Sequence, residues 1–169
     1  MPSVYFVFKK SIESSAETLV NWWAGPMVHV DVVFGDSRLM FTSFMFEHFS
    51  MNRPDGYKPT THHCMAMQIT QKEHDDSQAL MLRFVGKRVP YNYADVFRFV
   101  MPGPCSPVDL ESEDQVETLF CSQAVTLMLK WGMPERAEFA ALNSRCTTPT
   151  MLYEALKSHC TEAEAFLAP

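Results

Sequence analysis

The stretch Met27-Val28-His29-Val30-Asp31-Val32-Val33-Phe34, followed by Gly35-Asp36 and then a second run, Arg38-Leu39-Met40-Phe41-Thr42-Ser43-Phe44-Met45-Phe46, commits this chain to a β-hairpin. β-Branched and aromatic residues fill both runs, and a glycine–aspartate step between two such runs is a turn signal. Glycine in the first central position suits a type II′ turn in which Phe34 pairs with Ser37. The register then sets Val32 opposite Leu39, Val30 opposite Phe41 and His29 opposite Thr42. Directly opposed side chains stand about 5 Å apart at Cβ, so Thr42 is placed to hold one imidazole nitrogen. A bulge would hand that place to Ser43. Asp31 shares the face of His29 but lies about 7 Å along the strand, and is expected only to assist.

The second informative segment is Phe120-Cys121-Ser122-Gln123-Ala124-Val125, a cysteine beside an apolar helical stretch. A thiol is a nucleophile only as thiolate, and a helix N-terminus or a nearby imidazole stabilises that charge. If the helix opens at Cys121, its free N–H groups face the sulfur and can also hold an oxyanion. Gly132 and Pro134 close the helix after about Lys130. An earlier start is also open, because Ser112-Glu113-Asp114-Gln115 reads as a capping box. Cys121 would then lie mid-helix.

Around these segments, Val4–Phe8 reads as a short strand and Cys64–Thr70 as another. A helix is expected from Ser14 or Ser15 through Trp23, stopped by Gly25-Pro26. Trp22 and Trp23 are read as packing. Ser77–Val85 and Tyr91–Val100 are helical by spacing, with Pro102 and Pro104 ending the latter. Residues 50–61 read as a loop, 102–112 as a surface connection, and Thr150–Ala165 as helix. Residues 1–169 are expected to form a single domain.

Formal net charge is −6, which speaks against nucleic acid and anionic membrane as main partners. No apolar run is long enough for a membrane span, and the first ten residues lack a signal-peptide pattern. The five cysteines are odd in number and widely spaced, without CxxC. Reduced thiols in the cytoplasm are therefore expected. His62 and Cys64 can share a strand face, but no further ligand pair accompanies them, so metal binding is only a weak alternative. No cofactor is implied.

Each candidate also has a plain structural reading. A cysteine beside phenylalanine serves as a small core residue, and a histidine inside Val-His-Val-Asp-Val serves as a half-buried strand residue. Twelve methionines and thirteen phenylalanines are core filler at their simplest.

Taken in order, the segments resemble the circularly permuted NlpC/P60 group of papain-like cysteine hydrolases, which has bacterial and poxvirus-type members. His29-Val30-Asp31-Val32-Val33-Phe34-Gly35 stands where that group carries a strand histidine and a tight turn. Arg38–Ser43 stands at the second strand with its polar third residue. Gly86-Lys87-Arg88-Val89-Pro90-Tyr91-Asn92-Tyr93 resembles the segment before the nucleophile. Phe120–Val125, Lys130-Trp131-Gly132 and Thr148-Pro149-Thr150-Met151-Leu152 resemble the nucleophile helix, its end and a downstream Ser/Thr-Pro element. Residues 27 to 153 carry the likeness. Asp31 departs from the group's usual glycine, and Thr42 or Ser43 from its more common histidine, asparagine or acid.

The resemblance implies an α+β fold, a papain-like core with helices packed on an antiparallel sheet, and Cys121 at the first helical position. It implies catalysis by Cys121 and His29, with Thr42, Ser43 or Asp31 as third residue. The substrate would be a peptide, protein or lipid-derived molecule with an amide or ester carbonyl. Peptide or isopeptide cleavage is favoured over acyl transfer. An inactive papain-like binding module is the alternative.

Overall fold

The computed structural model describes residues 1–10, 25–44, 47–54, 57–100, 108–163 and 166. The helix expected before Trp23 and both of its tryptophans lie outside these, as does most of the connection after Val100. Among the described residues the strands are β1 (Ser3–Lys10), β2 (Met27–Phe34), β3 (Leu39–Thr42), β4 (Ser50–Asn52), β5 (His62–Gln68) and β6 (Thr161–Glu162). They form one antiparallel sheet in the order β4-β3-β2-β1-β5-β6. The helices are α1 (Gln71–Gly86), α2 (Tyr93–Val100), α3 (Cys121–Leu127) and α4 (Pro149–Leu156). The fold is α+β, with helices packed on an antiparallel sheet.

Strand alternation sorts the side chains into two layers. Phe6, Phe8, Val30, Val32, Phe34, Met65 and Met67 enter the main core with Leu80, Met81 and Phe84 of α1, Ala124 and Leu127 of α3, and Leu152 of α4. The opposite face carries a smaller cluster of Val7, Val33, Met40 and Cys64, against which Tyr5 and Tyr57 pack. His29 and Asp31 alternate with Val30 and Val32 and so belong to this second face.

The N-terminus of α1 has a capping box that the sequence reading missed. Thr70 accepts from the Glu73 amide at 3.2 Å, and Glu73 accepts from the Thr70 amide at 2.7 Å. Such a cap is worth about 1 kcal/mol. Burying Leu80, Met81 or Phe84 contributes about 1.5–3 kcal/mol each. Packing therefore decides where this helix stands, and the cap decides where it starts.

Three expectations need correction. The β2–β3 hairpin pairs Val32 with Phe41, Val33 with Met40 and Phe34 with Leu39, leaving Gly35–Arg38 as a four-residue loop. The left-handed residue there is Arg38, at φ 49°, and not Gly35. Gly35 is required for a different reason: an added Cβ would stand 2.7 Å from the Tyr5 ring and 3.2 Å from the Ser3 carbonyl. The C-terminal helix ends at Leu156, and β6 follows where helix was expected. Cys146 is disulfide-bonded, against the expectation of reduced thiols throughout.

Candidate active site

The shift of register keeps every side chain on its face, because strand alternation has a period of two. Thr42 therefore still reaches His29, but from opposite Asp31 on the extended pairing. Thr42 Oγ1 lies 3.2 Å from His29 Nε2. Asp31 Oδ1 lies closer, 2.7 Å from the same nitrogen, and accepts its proton. The Thr42 hydroxyl also donates to Asp31. Asp31 was expected only to assist, on a distance measured along the backbone. A carboxylate and an imidazole on one strand face lean together and cover that distance with their side chains.

Among the described residues β3 pairs with β2 only through Val32, and no other strand pairs with the start of β2 on that side. The chain entering α3 reaches this end of the sheet. The Leu119 carbonyl accepts from Asn92 N at 2.9 Å and from Ser43 Oγ at 3.0 Å. Ser43 thus anchors the approach to Cys121, while Thr42 contacts the imidazole. Cys121 is the first residue of α3, and a π-helical turn over Met128–Gly132 extends the helical run. Ser112 caps only a short 3-10 turn, Glu113–Gln115, which removes the earlier helix start. Gln123 Oε1 accepts from the Phe120 amide at 3.4 Å and from Asn92 Nδ2 at 3.2 Å, closing the helix start from within. Ser122 Oγ donates to the Thr147 carbonyl at 2.7 Å, tying α3 to the segment before α4.

The structure brings Cys121, His29 and Thr42 together. The Cys121 side chain is near enough to the His29 ring to raise its pKa. With Nε2 committed to Asp31 and Thr42, the other ring nitrogen is the one left for sulfur. Burial alone would lower the His29 pKa. The charges of Asp31 and Cys121 and their hydrogen bonds overcome it and raise it to about 10. Burial pushes the Asp31 carboxyl up, but His29, Thr42 and Tyr57 together hold it below its ordinary value. Burial, followed by the Cys121 charge, raises the Tyr91 phenol pKa.

Two further residues complete the surroundings, and the sequence reading assigned neither. Phe44 stacks on the His29 ring with centroids 4.6 Å apart and planes 13° from parallel. Tyr57, from the loop before β5, donates its hydroxyl to Asp31 Oδ2 at 3.0 Å. No sequence signal announces Tyr57, since a contact across 26 positions leaves no periodicity. The cleft beside Asp31, about 540 Å³, is lined by Lys9, Met40, Phe44, Arg53, Tyr57 and His62 among others.

Burial pushes the Cys64 and Cys160 thiols up to about 12 each. His62 Nδ1 is engaged by the Lys58 amide at 3.2 Å and by Thr61 Oγ1 at 2.8 Å. Among the described residues no group of three His, Cys, Asp or Glu could hold a metal. Among the same residues no helix is long and apolar enough to cross a membrane.

No family model, curated protein or solved structure matches this chain.

Proposed function

We propose that the protein is a cysteine-dependent hydrolase or acyltransferase acting on an amide or ester bond, built on a permuted NlpC/P60-like, papain-like core. The single observation that carries this reading is that the fold brings His29 and Cys121, at the first position of α3, close enough to interact. A core cysteine needs no imidazole, and a half-buried strand histidine needs no thiol.

The chemistry follows from the charges. His29 takes the Cys121 proton and stands as imidazolium beside the thiolate. The sulfur attacks the carbonyl carbon, and the displaced electron pair rests on oxygen, held by N–H groups at the start of the helical run. When the tetrahedral centre collapses, His29 returns the proton to the leaving nitrogen or oxygen and a thioester remains. Water, or another acceptor, loses its proton to His29 as it attacks the thioester, and the thiol is restored.

One observation favours the alternative of an inactive binding module. Cys121 is only 6% exposed, and Phe44 covers the imidazole. A single experiment separates the two. Iodoacetamide near neutral pH should alkylate Cys121 well ahead of Cys64 and Cys160, and His29→Ala should slow that reaction by about tenfold or more. Uniformly slow labelling, indifferent to His29, would sink the catalytic reading and leave the binding module.

A further inference from the structure

From the geometry around the His29 ring we infer that Asp31, aimed by Tyr57, is the positioning residue of this site, and that Thr42 is secondary to it. The inference rests on the Cys121–His29 reading and adds which side chain fixes the imidazole.

Three distances carry it. Asp31 Oδ1 is the nearest partner of His29 Nε2, at 2.7 Å against 3.2 Å for Thr42. Asp31 Oδ2 accepts from the Tyr57 hydroxyl at 3.0 Å, so both carboxylate oxygens are committed. A carboxylate so held cannot rotate its nearer oxygen away from the ring without losing its second bond. The Asp31 side chain is 5% exposed and that of His29 13%, so solvent screens their attraction weakly.

Charge decides between the two candidates. Thr42 can orient an imidazole but offers no charge to an imidazolium, whereas Asp31 offers both. Thr42 also donates to Asp31, so it supports the carboxylate as much as the ring. Other groups face this ion pair as well. Lys9 is the cross-strand partner of His29, and His62 is the partner of Lys9 on the next strand. Cys121 opens α3, and Tyr91 is near enough to feel the Cys121 charge. Asp31 is the group among these that bonds the ring and carries negative charge at every stage of the proposed cycle.

Tyr57 gives the arrangement its second tier. It lies on the segment between β4 and β5 and packs on the same sheet face as Val33 and Met40. Its ring meets His62 edge-on at 5.1 Å, which fixes the hydroxyl over Asp31. This segment therefore contributes one hydrogen bond to the site and touches neither sulfur nor imidazole with it.

The test uses the full chain, with histidine labelled for NMR, and the near-isosteric variants Asp31→Asn, Asp31→Glu, Tyr57→Phe and Thr42→Val. In Asp31→Asn the His29 titration should fall from about 10 toward 6.5. Asp31→Glu should restore part of it. Thr42→Val should move it less than Asp31→Asn does. Alkylation of Cys121 near neutral pH should slow by about tenfold in Asp31→Asn and by about threefold in Tyr57→Phe. An unchanged His29 titration in Asp31→Asn, or a larger shift in Thr42→Val, overturns the inference. A titration that moves while Cys121 alkylation stays constant in every variant shows Asp31 holding a histidine that does not serve the thiol. That outcome overturns the positioning role and the functional reading together, and is told apart by the NMR signal.

Discussion

Ser43 Oγ donates to the Leu119 carbonyl at 3.0 Å, and through this bond the end of β3 fixes the turn that delivers Cys121. Ser43 is 1% exposed, so the lost bond is not replaced cheaply by water. Ser43→Ala should therefore slow Cys121 alkylation by about threefold, with a stability cost of about 1 kcal/mol. The Asn92 amide still holds Leu119, which is why the loss is small. Gln123→Leu removes the acceptor for both Phe120 N and Asn92 Nδ2, and should slow alkylation further, by about tenfold. Peptide-resolved alkylation rates beside urea unfolding of each variant check both figures; equal rates in all three proteins would refute the anchoring.

The pH response of the pair has a definite sign. His29 has a folded pKa raised from 6.5 to about 10. Its charged contacts are then complete below the unfolded value and fade as pH rises through the folded one. The His29 ring should stay protonated across the neutral range and lose its proton only as the pH nears about 10, read by NMR of the labelled ring. A midpoint near 6.5 in that titration would mean that no ion pair forms.

Acid should act elsewhere. Arg136 Nε donates to Glu73 Oε1 at 2.6 Å, and with Thr70 this lowers the Glu73 pKa from 4.5 to about 2. A depressed carboxyl contributes stability above its unfolded pKa and loses it as pH falls through the folded one. Glu73→Gln should cost about 1 kcal/mol at pH 7, solvent screening the pair, and flatten the acid limb of stability between pH 4.5 and 2. Chemical denaturation across that range measures it.

Gly132 ends the π-helical turn against α1. A Cβ there would stand 2.3 Å from Ser77 Oγ and 2.8 Å from Ser77 Cα, so the backbone of α1 would have to retreat. Gly132→Ala should cost about 1–3 kcal/mol. Ser77 Oγ itself is buried and makes no hydrogen bond. Ser77→Ala alone should be near neutral or slightly stabilising, since it deletes an unsatisfied hydroxyl. Thermal melts of both variants decide the matter.

Much of this arrangement is written locally. Alternation over residues 28–34 marks β2 and the face that His29 occupies, whatever the turn. The place of Cys121 at a helix start is visible in Phe120–Val125 once Gln123 is read as the residue that closes the first turn. Turn length is harder. Gly35-Asp36 advertises a two-residue loop, but the Tyr5 ring packs against Gly35 and the chain takes four. That contact joins the loop to a residue of β1 thirty positions earlier and has no local signature. The rank of Asp31 over Thr42 was missed for a related reason, since backbone spacing ignores how far two polar side chains reach toward each other. Tyr57 arrives from a segment that reads as loop and Phe44 from the far end of a run that reads as strand, and only the folded sheet places them.

Strand pairing counts in twos, and this gives the β2–β3 register an arithmetic of its own. A slip of the pairing by two residues slides Thr42 along β2 but keeps it on the imidazole side, while a slip of one turns it into the hydrocarbon and presents Phe41 or Ser43 instead. Extra residues between Gly35 and Arg38 are harmless so long as Phe34 still pairs with Leu39, so this corner must protect its register and not its length.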